Sequence, residues 1–256
     1  MKTFTQLTAL TKRILKQNLT NTDTLITVFG TPIFMLLFFV YVFGGSISLN
    51  GTETNTVDYL NYALPGFMLI TMTMGSAYTS MRINMDKTSG FLDRLHTLPI
   101  KRWIVLGSHI VASVIFMLLS ELTTFVVGMI MGFRPELSVG NFFIFLLLSI
   151  LFAFAMTMVS IPFSISAKSW ESASSFSYLL LMLLFVSSAF VPTNGMAKPI
   201  EIFADHQPMT PIVEAARGLL METNLSNGDL MQAFGWLVAL VVVFGVLSYR
   251  KYQRVF

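Results

Sequence analysis

The sequence predicts an all-α polytopic membrane protein with six transmembrane helices, and three observations predict it. Of the 256 residues, 54% are hydrophobic and 11% charged, and the mean hydropathy is +0.72. A soluble domain carries about 25% charged residues, so too few polar side chains exist here to cover a globule, and the implied solvent is the bilayer. Six apolar runs are long enough to cross a hydrocarbon core of ~30 Å at ~1.5 Å per residue. The Lys and Arg residues fall mainly in the segments that alternate crossings bring to one face, as the positive-inside bias requires. Cysteine is absent, which excludes a disulfide framework, a thiolate metal site and a cysteine nucleophile. The net charge of +3 and pI near 9.2 are spread over short clusters, so a membrane explains them better than nucleic acid.

Residues 1–24 read as a basic amphipathic helix in the headgroup region. Lys2, Lys12, Arg13 and Lys16 share one sector at 100° per residue, with Phe4, Leu7, Leu10 and Ile14 opposite. A cleaved signal peptide is the rival reading, but its polar lead would be too long and the next apolar run exceeds a signal core. The expected spans are Leu25–Phe43, Leu60–Met81, Trp103–Gly132, Asn141–Ile165, Phe176–Val191 and Met231–Tyr249. The fifth is the shortest and is expected to begin a few residues earlier. The N-terminal segment, the 82–102 loop (Arg82, Lys87, Arg94, Lys101, Arg102), Lys168 and the tail (Arg250, Lys251, Arg254) lie together on one face. Only Arg134, Lys198 and Arg217 lie on the other. Both termini are therefore expected in the cytosol of a cell, most simply a bacterial one, with the chain in its plasma membrane.

Among the connections, Gly44 to Tyr59 is polar with Asn50-Gly51 as a turn, and Phe133 to Gly140 is tight. The stretch from Pro192 to Asp229 is long, moderately apolar and broken by Pro199, Pro208 and Pro211. Pro199 can open one short helix, and Thr210-Pro211 reads as N-cap and first turn of another. In the second, Ile212, Ala215, Ala216, Leu219 and Leu220 share a face. Residues 196–222 thus read as an external re-entrant helical hairpin that dips into the leaflet or packs on the span tops. With no repeat and no soluble domain, residues 1–256 form one transmembrane domain, in which 25–249 hold the six spans.

The short helix between the second and third spans carries Phe91, Leu95 and Leu98 at i, i+4 and i+7 with Leu92 beside them, an apolar ridge. Pro99 stops it, and Gly90 permits close backbone approach at its start. No G-x-x-x-x-G-K-[ST] phosphate loop is present, so any nucleotide must be held by another polypeptide. His96, His109 and His206 lie in unrelated segments without clustered acids, so no metal or hydrolytic site is expected. Glu121 is the one carboxylate in mid-span. It costs ~3 kcal/mol on insertion scales, which the surrounding Leu, Ile, Val and Phe offset, so it faces protein or a wet cavity. Two readings stand: a cation or proton contact in a pathway, or a carboxyl group hydrogen-bonded to a neighbour such as Ser120 or Thr124. Phe67, Thr71, Met74 and Tyr78 align on the second span, and Tyr178, Met182 and Phe185 on the fifth. Such stripes serve a greasy substrate or plain packing against lipid and protein.

Four places, in order and across virtually the whole chain, resemble the ABC-2-type permease family, the membrane subunits of ATP-binding-cassette exporters. The first span has Pro32 and an aromatic-rich run ending Val42-Phe43-Gly44. The loop from Asp86 to Arg102 is similar to the family's coupling helix, with Gly90, Leu92, Arg94, Leu95 and Leu98-Pro99. The fifth span closes on Ser187-Ser-Ala-Phe-Val-Pro192. The run Gln207-Pro208-Met-Thr-Pro211-Ile-Val-Glu-Ala-Ala-Arg217-Gly218 resembles the outer hairpin. Phe91 departs from the family's small polar residue, and Gln207 from its frequent asparagine. The segment around Asp93 resembles drug-exporter members more than polysaccharide exporters.

The resemblance implies a permease without enzymatic activity of its own that moves a hydrophobic or amphiphilic substrate (drug, lipid, peptide or glycan-lipid) outward. It implies two permease copies, each with an ATP-binding cassette subunit that holds ATP and Mg. Asp86, Gly90, Phe91, Leu92, Asp93, Arg94, Leu95, Leu98, Pro99 and Arg102 would meet that subunit. The first, second and fifth spans would border a central cavity, and Pro192, Pro208, Pro211, Glu214 and Arg217 would belong to an external gate. The alternative is an ABC-linked sensor or mechanotransmitter that moves no solute, although such proteins often carry a sizeable extracytoplasmic domain, which this sequence lacks. A secondary transporter would show paired intramembrane charges or broken helices in matching halves, and only Glu121 is here.

Overall fold

A computed structural model of the chain describes residues 2–45, 55–136, 138–222 and 227–255, without the side chains of Lys2, His96, Arg102, Asn227, Arg254 and Val255. Every regular element among the described residues is helical. The Asn50-Gly51 turn lies outside them. Helix α1 (Lys2–Thr20) lies along the bundle and is followed by α2 (Thr22–Leu25), a π-helical turn (Ile26–Gly30) and α3 (Thr31–Phe43). Pro32 accounts for the π turn. Its ring would strike the carbonyl four residues back, and a widened turn just before it absorbs the clash.

The central mast is α4 (Thr56–Thr88), which starts at a capping box made by Asn55 and Asp58. It packs against α3, α6, α7, α8, α9 and α11. The elbow α5 (Phe91–His96) follows, then α6 (Arg102–Met131), α7 (Val139–Ser166), α8 (Trp170–Ser174) and α9 (Phe176–Phe185). Next come α10 (Lys198–His206), α11 (Met209–Met221) and α12 (Asn227–Val255), with α12 against α7 and α11 and α1 against α6.

Among the described residues four helical stretches are long and apolar enough to cross a membrane: Thr22–Phe43, Trp103–Met131, Val139–Ser166 and Gly228–Gln253. The sequence led us to expect six. The second expected span lies within α4, which is long but less apolar because protein, not lipid, surrounds it. Thr71, Thr73, Ser76, Thr79, Ser80 and Asn84 are all buried there, and each bonds a carbonyl or hydroxyl. The fifth is Trp170–Phe185. As expected it starts before Phe176, but its helix ends at Phe185 rather than running to Val191.

A proline inside a long helix is compensated from a neighbour. Pro162 in α7 removes the hydrogen bond to the Met158 carbonyl, and Ser248 Oγ of α12 donates to that oxygen instead (3.1 Å). In α4 the Tyr62 carbonyl, three residues before Pro65, accepts from Arg217 Nε (2.9 Å) of a neighbouring helix. Burying either oxygen unpaired would cost about 1–3 kcal/mol.

Candidate functional site

The elbow is joined to α4 by Gly90, whose φ of 71° lies in the left-handed region. Nothing lies within 4 Å of a Cβ built there, so glycine is needed for the turn and not, as its position suggested, for close backbone approach. The predicted ridge is split by packing. Leu92 and Leu95 are 2% and 7% exposed and pack with Val105, Leu10, Phe91 and Ile100. Asp93, Arg94, Leu98 and Pro99 stay exposed, Leu98 at 51%. The open face of the elbow is therefore amphipathic and offset from the ridge, because α1 and α6 cover the ridge. The Arg102 side chain lies outside the described residues.

Asp86 faces inward rather than outward to a partner. It is 4% exposed, and Arg13 of α1 grips it through two bonds, Nη1 to Oδ2 (3.0 Å) and Nη2 to Oδ1 (3.1 Å). His109 Nε2 of α6 lies 3.5 Å from Oδ2. The same Arg13 guanidinium stacks on the Phe91 ring, 3.8 Å from its centroid. One arginine thus ties α1, α4 and the elbow together. The same end of α4 is pinned to α7: Asn84 Nδ2 donates to the Ser164 and Ala167 carbonyls (2.9 Å each) and Lys87 Nζ to that of Ile165 (2.6 Å). These donors satisfy the last carbonyls of α7, which its own helix leaves open.

At the far end, α11 is buried along nearly its whole length, including the predicted face of Ile212, Ala215, Ala216, Leu219 and Leu220, while Glu214 is exposed. Thr210 is not its N-cap. The helix starts at Met209 after Pro208, and Thr210 Oγ1 donates back to the Ala204 carbonyl (2.6 Å). Gln207 Nε2 donates to the Leu183 carbonyl in the last turn of α9 (2.8 Å). Pro211 is buried, and Pro192 and Pro208 are half-buried.

After Phe185 the chain leaves the helix while Ser187, Ser188, Ala189 and Phe190 remain buried. Non-helical backbone at depth must find partners in protein. The Ser188 carbonyl accepts from Arg217 Nη2 (2.7 Å) and from Tyr62 Oη (2.8 Å), and the guanidinium stacks on the Tyr62 ring at 3.7 Å. Burial draws the Arg217 pKa below its ordinary value, while Tyr62 and Glu214 hold it up. Arg217 therefore bolts the hairpin to α4 and to the unwound end of the fifth stretch.

Of the two stripes, Phe67 and Thr71 are fully buried in the chain's own core. Phe67 packs edge-on to Phe39 and Phe190, so neither lines an open surface of the single chain, and Met74 and Tyr78 are half-buried. On α9, Tyr178, Met182 and Phe185 are 74%, 65% and 41% exposed. Glu121 is 5% exposed and accepts from Ser149 Oγ of α7 (2.7 Å). Ser120 and Thr124, the expected partners, instead bond carbonyls of α6. Among the described residues no group of three or more His, Asp and Glu could hold a metal.

Sequence reasoning missed Arg13, His109, Tyr62 and Ser149 as parts of these sites. The spacing of Arg13 gave only a polar sector, and no local pattern pairs residues 73 positions apart.

The ABC-2 type transporter family model matches residues 5–221. A daunorubicin resistance ABC transporter permease protein of Streptomyces coeruleorubidus is 29% identical over 90% of this chain and 80% of its own length. A protein of Mycobacterium tuberculosis named for doxorubicin resistance, also an ABC transporter permease, is 24% identical over 90% of the chain and 82% of its own. A transport permease of Cyanophora paradoxa is 24% identical over 98% and 88%.

Proposed function

The chain belongs to the ABC-2 type transporter family, and on that premise we propose that it is the permease subunit of an ATP-binding-cassette exporter for hydrophobic or amphiphilic molecules. It is a multi-pass membrane protein. In the proposed arrangement α4 and Trp170–Phe185 cross the membrane with the four apolar stretches, both termini are cytosolic, and two copies pair. Each copy takes one ATP-binding subunit, which holds ATP and Mg, at the elbow. The exposed aromatic faces of α3 (Phe34, Phe38, Tyr41) and α9 (Tyr178, Met182, Phe185) are the surfaces that pairing would use, and the substrate route would run beside them. The relatives named for daunorubicin and doxorubicin resistance support a drug-like amphiphile as cargo.

The observation that carries the reading is the mounting of the elbow. Its inner face is locked to the bundle through Arg13, Asp86, Leu92 and Leu95, while Asp93, Arg94, Leu98 and Pro99 stand bare. Force applied at those four residues passes into α4 and, through Asn84 and Lys87, into α7. ATP shifts such a machine only by favouring one state of the motor subunits over the other. Arg217, with Pro192, Pro208 and Pro211, would set the outer gate, and the exposed Glu214 would meet the second copy or solvent.

The test is co-purification with an ATP-binding subunit encoded beside this chain, followed by transport in proteoliposomes. Leu98→Asp combined with Arg94→Glu should abolish both while the permease alone elutes and melts as wild type. Persistence of pumping in that variant would refute docking at the elbow, and absence of nucleotide-dependent movement of any amphiphile would refute the exporter.

A further inference from the structure

Between α6 and α7 the wall of the bundle opens into a groove of about 350 Å³, within the range of small-molecule sites. Its rim is formed by Leu119, Leu122, Phe142 and Leu146, which are 38–55% exposed. Its floor is closed by Met68 of α4 and Leu220 of α11, at 2% and 1%. The groove thus faces the lipid sideways and ends blind in the protein.

Polar lining comes from one pair, Glu121 and Ser149, themselves 5% and 3% exposed. Ser149 donates to Glu121 Oε1 (2.7 Å), and Oε2 accepts no hydrogen bond among the described residues. Both residues stand about ten positions from the far ends of their helices, roughly 15 Å below them. A carboxyl group held at that depth with an unused oxygen is expensive and calls for a partner. A hydrated metal ion does not fit, because Mg or Ca needs six or more oxygens and the groove offers a carboxylate and one hydroxyl amid hydrocarbon. The amine of a phospholipid headgroup sits too near the surface to reach.

We infer that this groove is a lateral binding site for a hydrophobic primary amine that enters from the bilayer. The ammonium is received by the free Glu121 oxygen, and the apolar body lies along the rim between α6 and α7. Three N–H donors on one charge match an acceptor-only carboxylate, and the rim removes the rest of the ligand from competing contacts. The site is separate from the α3 and α9 faces proposed for pairing, and it requires neither nucleotide nor a partner subunit.

The experiment uses the purified full chain in nanodiscs. One sample is photolabelled with a medium-chain alkyl primary amine bearing a terminal diazirine, another with the matching alcohol, and labelled peptides are mapped by mass spectrometry. The amine should mark the peptides spanning 115–122 and 142–149, and Glu121→Gln, which still accepts from Ser149, should lower that labelling at least about tenfold, as loss of a hydrogen bond to a charged group predicts. The alcohol should label wild type and variant alike. Equal amine labelling in both proteins, or amine and alcohol labelling these peptides alike in wild type, would overturn the inference. If Glu121→Gln is not monodisperse, Leu122→Trp narrows the rim instead and should block the amine, with undiminished labelling again overturning it. Because labelling is read without ATP, its failure leaves the exporter reading standing, and a failed exporter leaves the site standing.

Discussion

Removing Arg13 should release the elbow, and the structure sets the size of the effect. In Arg13→Ala, Asp86 loses both guanidinium bonds while staying 4% exposed, and Phe91 loses its stacked cation. Breaking a buried pair by deleting one partner costs about 3–5 kcal/mol. The Arg13 side chain is 31% exposed, so water already screens part of the pair, and His109 Nε2 at 3.5 Å can turn an N–H toward the orphaned carboxylate. That screening brings the cost below this range, to about 2–3 kcal/mol, which corresponds to roughly 30- to 150-fold more frequent opening of the elbow.

Because the chain has no cysteine, a single Leu92→Cys, at a position only 2% exposed, gives a clean reporter. Its reaction with a thiol reagent tracks the open population. Arg13→Ala should speed labelling by that factor, and adding Asp86→Asn should recover much of it by removing the buried charge. A change below about threefold, or a double variant as fast as Arg13→Ala alone, would show that Asp86 does not need Arg13 and would refute the clamp.

Gly66→Ala should destabilise the chain by about 1–3 kcal/mol, because a Cβ there would meet Ala189 Cβ at 2.8 Å and its carbonyl oxygen at 3.1 Å, and thermal unfolding in detergent measures it. Arg217→Gln should lower the melting point and slow transport together, since the Ser188 and Tyr62 carbonyls each lose a donor, worth about 1–3 kcal/mol apiece; wild-type melting would refute the bolt. Glu121→Gln should reduce export of amine-bearing cargo about tenfold or more while neutral cargo is unaffected in the same proteoliposome assay, and equal loss for both would remove the charge argument.

Much of the architecture was legible along the chain because bilayer insertion is decided by local hydrophobicity. Three runs near residues 25–43, 103–132 and 141–165 reappear as helices of almost those bounds, and Met231–Tyr249 lies inside α12. The two short helices α10 and α11 were legible too, since proline positions and the 3.6-residue period of Ile212, Ala215, Ala216, Leu219 and Leu220 are local signals. Where prediction and structure part, a neighbour intervenes. The ridge Phe91, Leu95, Leu98 has a sound helical period, but α1 covers Leu95 and leaves Leu98 bare. Phe67 and Thr71 have the spacing of an open stripe, yet other helices of the same chain enclose them.

Composition and order alone determined that this is a helical membrane chain, and that a short elbow and two proline-bounded short helices stand among its long helices. Each of these follows from transfer free energy or from backbone covalency, which act residue by residue. Only the tertiary structure decided that Asp86 turns in to Arg13, that Arg217 caps the unwound Ser188 backbone, and that Glu121 meets Ser149. Those pairings are set by which helix faces meet across the bundle, and a buried polar group takes whatever partner packing brings within 3 Å or so.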